Sequence, residues 1–252
     1  MNNIKYFDGH NDTLLKLFFS KEINKSKDFF NGNKYCHIDY PKIKVSNFIG
    51  GFFAIFTPDK EPDESFFSRM DSPPYDLELP DPINYEHAIS CTLSMISILN
   101  KLIDNSKGKI ILCKNSHDMR TILKEDKIGI ILHIEGAEAI SKNFDSLDIL
   151  YNLGLRSIGL VWSRPNIFAN GVPFSFPKDP DTGPGLTELG KELVKKCDEK
   201  NIFIDLSHLN EKGFWDVEKL STRPLIATHS NVHELSNHSR NLTNKQLRAI
   251  KE

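Results

Sequence analysis

The sequence predicts an α/β protein of the TIM-type (β/α)8 barrel class, with about six strand-helix units present. Three observations carry that expectation. Short apolar runs alternate with amphipathic helical stretches along most of the chain. The run Phe48 to Thr57 is almost continuously hydrophobic, as in a parallel strand buried on both faces. Histidines and carboxylates recur at the C-terminal ends of the strand-like runs, the face on which a (β/α)8 barrel gathers its catalytic groups.

In order, Ile4, Tyr6 and Phe7 open a first strand ending in Asp8-Gly9-His10-Asn11-Asp12, and Leu14 to Phe19 follows as a short helix. Residues 21 to 47 read as an irregular excursion. Phe48 to Thr57 is the second strand, stopped by Pro58, and Gly50-Gly51 marks a bulge or a close backbone approach. The Pro- and Asp-rich stretch from 58 to 82 is a long loop, of a length that usually covers a site. Ile83 to Asn105 is a long helix, Lys109 to Cys113 a short strand and Ser116 to Lys124 a helix. Ile128 to Ile134 is a strand leading into Glu135-Gly136, and Asp145 to Asn152 a helix closed by Gly154. Leu155 to Trp162 is a strand and 163 to 185 a loop. The chain continues with a helix at Leu186 to Lys200, a strand at Ile202 to Leu206 and a helix at Glu211 to Leu220. A strand at Leu225 to Thr228 leads into His229, and Thr243 opens the last helix. No repeat or linker divides the chain, so residues 1–252 are expected to form one domain.

Bulk properties narrow the function. Net charge is -2, from 32 basic and 34 acidic residues without a long run of either sign, which argues against a nucleic-acid partner. Hydrophobic residues at 39% and charged residues at 26% fit a globular protein with a sizeable core. No apolar run approaches the ~20 residues that span a bilayer, and no apolar leader follows Met1, so no membrane partner and a cytoplasmic location are expected. Cys36, Cys91, Cys113 and Cys197 are scattered with no C-x-x-C pair, which suits small buried thiols.

Residues two apart on a strand share a face, so His10 and Asp12 project together. An imidazole beside a carboxylate suits a divalent metal; the plainer reading is a polar strand end with Asp12 capping the next helix. Glu135, His208 and His229 sit at the ends of three other strands. Each has its own structural alternative, a helix-start carboxylate or a satisfied histidine. Together they make three of only nine histidines and two carboxylates at four strand ends. Five ligands exceed one tetrahedral zinc but fit two ions bridged by one carboxylate, an arrangement suited to hydrolysis. His133 could share the face of Glu135 as a supporting group, and His233 and His238 could approach from the final loop. Asp205, three residues before His208, is expected to support the site rather than to ligate.

The ordered motifs Asp8-Gly9-His10-Asn11-Asp12, Gly50-Gly51, Ile134-Glu135-Gly136, Asp205-Leu206-Ser207-His208, Thr228-His229-Ser230 and Ser239-Arg240-Asn241-Leu242 resemble the membrane (renal) dipeptidase family of zinc-dependent metallo-hydrolase barrels. The resemblance covers essentially the whole chain. It implies two Zn2+ ions, one held by His10 and Asp12 and the other by His208 and His229, with Glu135 bridging. It implies hydrolysis of dipeptides, including those with a C-terminal D-residue, by attack of a metal-bridging hydroxide. Arg240 matches the family arginine that binds the substrate carboxylate, for which a two-pronged guanidinium is the natural partner.

Two departures stand out. Trp162 occupies the place of a substrate-contacting histidine found in some relatives, and Arg164 or Asn166 could substitute for it. The family's acid/base aspartate, at the end of the eighth strand, has no counterpart before Glu252. The barrel is therefore expected to be incomplete at its C-terminus, and this chain to bind metal poorly and turn over slowly unless it is part of a longer protein. The alternatives are a related amide or lactone hydrolase, such as an N-acyl-D-amino-acid deacylase, and a non-catalytic metal-binding relative. The partner expected is a small dipeptide, with a homodimer as the assembly considered.

Overall fold

The structure is a computed structural model that describes residues 4–61, 63 and 65–251. Residues 1–3, at the start of the stretch expected to carry no leader, and residue 252 lie outside the described residues. The chain packs as two compact units.

The first unit comprises the described residues of Met1–Phe56, with Ile89–Ile134 and Asp148–Ser157. Strand β1 (Tyr6–Asn11) leads into helix α1 (Thr13–Phe19). Two short helices follow, α2 (Lys25–Asn31) and α3 (Tyr40–Lys44), where an irregular excursion was expected. Their cause is local capping rather than apolar periodicity. Asn24 accepts from the Lys27 amide, Asp39 accepts from the Lys42 amide, and Pro41 sits in the first turn of α3.

Strand β2 (Phe48–Phe56) pairs in parallel with β1, and the register slips on both sides of the Phe7 and Asp8 pairings. Gly50 explains part of that irregularity: at φ +154°, a Cβ there would collide with the Gly129 carbonyl. Helix α4 (Tyr85–Asn105) is followed by β4 (Ile110–Leu112), which pairs in parallel with β5 (Ile128–Glu135). Between them lies α5 (Ser116–Lys124), capped by Asn115, whose side chain accepts from the amides of His117 and Asp118. Every residue of β5 is buried, as a strand covered on both faces requires. Helix α6 (Asp145–Leu153) ends at Gly154, in the left-handed region at φ +116°, and β6 (Leu155–Gly159) follows. Within this unit the strand order is β1-β2-β5-β6, with β4 also on β5.

The second unit comprises Thr57–Ala88, Glu135–Leu147 and the described residues of Ile158–Glu252. β6 ends at Gly159, three residues short of the expected Trp162, because the backbone there turns to receive the Glu135 loop. Gly136 N–H donates to the Gly159 carbonyl and Ala137 N–H to that of Leu160. Inside the two long loops, β3 (Tyr75–Asp76) and β7 (Ser175–Phe176) pair antiparallel. Asp76 reinforces that pair by accepting from Ser175 and from Lys178.

Helix α7 (Glu188–Lys200), capped by Thr187, ends at Asn201 in the left-handed region. Strand β8 (Phe203–Asp205) sits next to β6 in the sheet order, and α8 (Glu211–Leu220) follows it. The strand expected at Leu225 to Thr228 is reduced to one parallel bridge between Asp205 and Ile226. The Thr228 amide, which could have extended the ladder, donates instead to the Asp205 carboxylate. Helix α9 (Asn244–Lys251) opens with a reciprocal box in which Thr243 and Gln246 bond each other's amides.

All four cysteines are buried, and burial raises each thiol, that of Cys113 to about 11. Such thiols are inert structural residues. Among the described residues no helix is long and apolar enough to cross a membrane.

Candidate metal centre

In the first unit, β1 delivers His10, and Asp12 follows as the N-cap residue of α1. Asp12 makes no side-chain cap bond to that helix. Its Oδ1 instead lies 3.6 Å from His10 Nε2, so the two groups share a face. His10 is held from behind by aromatic edges. The His133 ring stands 5.8 Å away, almost perpendicular, and Phe52 packs edge-on against His133. His133 is fully buried and shares a 2.9 Å hydrogen bond with Ser157 through Nδ1, which fixes its ring.

The second unit brings three of the expected groups together. Glu135, at the end of β5, has Oε1 at 3.0 Å from His208 Nε2 and 3.2 Å from His229 Nε2. Glu135 and His208 are buried and His229 is half-buried. Ligand atoms 2.0–2.1 Å from a tetrahedral ion lie about 3.3 Å from one another, and both carboxylate–imidazole distances are of that size. The donor set, one carboxylate oxygen and two imidazole nitrogens, suits a divalent transition-metal ion.

Both imidazoles are oriented from their far side. Ser163 Oγ lies 2.9 Å from His208 Nδ1, and a hydroxyl can donate to that nitrogen or accept from it, so either tautomer is held. Thr228 Oγ1 lies 2.8 Å and Asp205 Oδ2 3.6 Å from His229 Nδ1. Asp205 is buried, accepts from the amides of Ser207 and Thr228, and takes a short hydrogen bond from the Thr228 hydroxyl. A carboxylate placed behind a ligating histidine raises its basicity and fixes its ring.

His208 is also conformationally unusual. Its backbone lies at φ +66°, and such strain is tolerated where the surroundings over-determine a site. Burial, followed by the Arg240 charge, lowers its pKa to about 3 despite Glu135, so its imidazole is neutral and has a lone pair to offer at neutral pH. Arg240 donates to the His229 carbonyl at 3.2 Å and, more weakly, to Ser230 Oγ at 3.5 Å. Burial pulls its pKa down to about 10 while Glu135 and Asp205 oppose that, so it remains a cation beside the carboxylates.

Trp162 takes a wall position. Its ring lies 5.8 Å from that of His208 and 5.5 Å from Phe174, and Phe66 of the long loop packs 6.1 Å from it. Arg164 is 1% exposed, stacks over Trp162 at 5.4 Å and pairs with Asp59 at 2.6 Å. Asn166 is committed to the backbone: it donates to the Leu160 carbonyl at 2.8 Å and accepts from the amides of Phe168 and Ala169. His238 packs against Phe174, Tyr75 and Phe176, whereas His233 bonds the Lys178 carbonyl.

Sequence reasoning missed Ser163, Thr228, Phe66 and Phe174. Ser163 lies 45 residues from its histidine, and neither its type nor its spacing marks it. It also missed Glu138, whose only sequence signal is its place in Glu135-Gly136-Ala137-Glu138.

Comparison with known proteins concerns the chain as a whole. A family model described as membrane dipeptidase (peptidase family M19) matches residues 1–252. An uncharacterised protein of Acinetobacter calcoaceticus, encoded in the PQQ-III 3′ region, is 40% identical over 250 residues, covering 99% of this chain and 78% of its own. The crystal structure of a metallopeptidase from Rhodobacter sphaeroides, liganded with a phosphinate mimic of the dipeptide L-Ala-D-Ala, superposes with a TM-score of 0.96 at 44% identity. That match covers 99% of this chain and 72% of the other. The probable dipeptidase PvdM of Pseudomonas aeruginosa shares the fold, with a TM-score of 0.69 at 23% identity over 85% of this chain and 50% of its own. The chain belongs to the membrane dipeptidase family, peptidase family M19.

Proposed function

We propose that this chain carries the dinuclear zinc centre of a dipeptidase that hydrolyses dipeptides, including those ending in a D-residue. In this reading His208 and His229 hold one ion, His10 and Asp12 hold the other, and Glu135 bridges them within a single barrel domain. The observation that carries the reading is the convergence of His208 Nε2 and His229 Nε2 on Glu135 Oε1, at 3.0 and 3.2 Å. Metal ions bound there would polarise the scissile carbonyl and lower the pKa of water.

The chain's own residues supply orientation. Ser163 and the Thr228–Asp205 pair fix the two imidazoles, so little ordering is left for the moment of binding. In this reading Arg240, whose guanidinium bonds the His229 carbonyl and Ser230, takes the substrate's C-terminal carboxylate. Trp162, Phe174 and Phe66 form an apolar wall beside His208 that excludes water and accepts a small aliphatic side chain. Arg164 supports that wall by stacking on Trp162, and Asn166 shapes the loop behind it. Acceptance of a C-terminal D-residue is supported by the phosphinate mimic of L-Ala-D-Ala held by the Rhodobacter sphaeroides relative.

The test is metal analysis together with hydrolysis of L-Ala-D-Ala, L-Ala-L-Ala and N-acetyl-D-alanine. Two zinc ions per chain at saturating metal and slow turnover of the dipeptides are expected, since the chain has no counterpart of the family's acid/base aspartate. Turnover of the N-acyl amino acid alone would overturn the dipeptidase reading.

A further inference from the structure

The second unit contains a cavity of about 380 Å3 that the proposed chemistry does not use. None of its lining residues is a proposed metal ligand or Arg240. Ile83, Tyr85, Ile140 and Ile167 make its walls, and Tyr85 and Ile167 remain 36% and 42% exposed at its mouth. The Glu138 carboxyl group lines it from a buried position, and the exposed Lys142 stands at its rim. A cavity of this size, mostly apolar with a few polar groups, has the character of a small-molecule site.

Glu138 is held there by the local sequence. Gly136 lies in the left-handed region at φ +91°, and a Cβ on it would occupy the space taken by the Glu138 carboxyl oxygens. Any side chain at 136 would therefore displace the group. One oxygen of Glu138 receives a long, weak hydrogen bond from Asn166 Nδ2, at 3.4 Å. Its own backbone amide also bonds the carboxyl group and the Arg164 charge acts on it, and an ammonium would add a charge-assisted bond, shorter and about twice as strong as a neutral one.

We propose that this cavity binds a free apolar α-amino acid, with its ammonium on Glu138, its carboxylate on Lys142 and its side chain among Ile83, Ile140 and Ile167. The chemistry fits the geometry at each end: an acceptor at a buried position, a cation at the rim and apolar surface between them. Such a ligand belongs to the product class of the proposed dipeptidase reaction. That link alone rests on the functional reading; the binding site does not.

Ligand-observed NMR on the full chain, stripped of metal by chelation, tests the site without the metal centre. L-Phenylalanine is expected to bind with a dissociation constant of roughly a millimolar, as a ligand of its size allows. Hydrocinnamate, which lacks the ammonium, and phenethylamine, which lacks the carboxylate, should bind about tenfold or more weakly. Glu138→Gln, which keeps the shape, and Ile167→Glu, at the exposed mouth, should each weaken phenylalanine binding by a similar factor. Absence of phenylalanine binding, equal binding of hydrocinnamate, or full binding by a folded Glu138→Gln protein would overturn the proposal. Failure of dipeptide hydrolysis in metal-loaded protein would leave these results standing, so the two readings fail separately.

Discussion

At the residue scale, the imidazole supports and the buried Glu138 make separate predictions. Asp205→Asn keeps the volume behind His229 but removes the carboxylate that helps to orient its ring. Zinc affinity, measured by competition with a chromogenic chelator, should fall about 10–100-fold, and Ser163→Ala should act in the same direction through His208. Unchanged affinity in both would show that the imidazoles need no support. Glu138 is a carboxyl group whose pKa burial raises from 4.5 to about 7. Its neutral form is favoured by the fold, so its contribution is fully present below pH 4.5 and is lost as pH rises through 7. The cost between those limits is about 3 kcal/mol. His208, lowered to about 3, works with the opposite sign: its contribution is present above pH 6.5 and is lost as pH falls. The two therefore oppose each other between about pH 4.5 and 6.5. Glu138→Gln isolates one of them: the mutant should gain on the wild type as pH rises from 5 to 8 in urea titrations. A constant difference across that range would show that Glu138 does not titrate as its burial implies.

At the element scale, β2 carries the clearest prediction. Gly50→Ala puts a methyl group against the Gly129 carbonyl in a backbone region that L-residues avoid, and should cost about 3 kcal/mol by urea unfolding. A loss below about 1 kcal/mol would mean that β2 shifts freely against β5. The Gly50-Gly51 pair was legible in the sequence because glycine weakens a strand and packs nothing, so its place in an apolar run marks a bulge or a close approach. Helices α5 and α8 were legible at both ends, since each begins after an asparagine cap and carries an apolar stripe. Helices α2 and α3 were not. They bury few residues, and their signal is one cap each, from Asn24 and Asp39, within a stretch dominated by lysine and asparagine. The pairing of β3 with β7 joins residues about a hundred positions apart through two-residue strands, too short for periodicity to register. The candidate site divides in the same way. Metal-ligand residue types at strand ends are conspicuous in a sequence, whereas Ser163, Phe66 and Phe174 gain meaning only from what the fold sets beside His208.

At the scale of the whole molecule, the proposed ligands are His10, Asp12, Glu135, His208 and His229. A metal that binds only the native arrangement stabilises it by RT ln(1 + [L]/Kd), about 4 kcal/mol when free zinc exceeds Kd a thousandfold. For a chain of this length that corresponds to a rise in Tm of about 10 °C. Glu135→Gln removes the shared carboxylate while keeping its shape, and should abolish most of the zinc-induced rise at the same free-metal concentration. If Glu135→Gln shifted as far as the wild type, zinc would be stabilising the chain through other groups, and the bridging role proposed for Glu135 would fall.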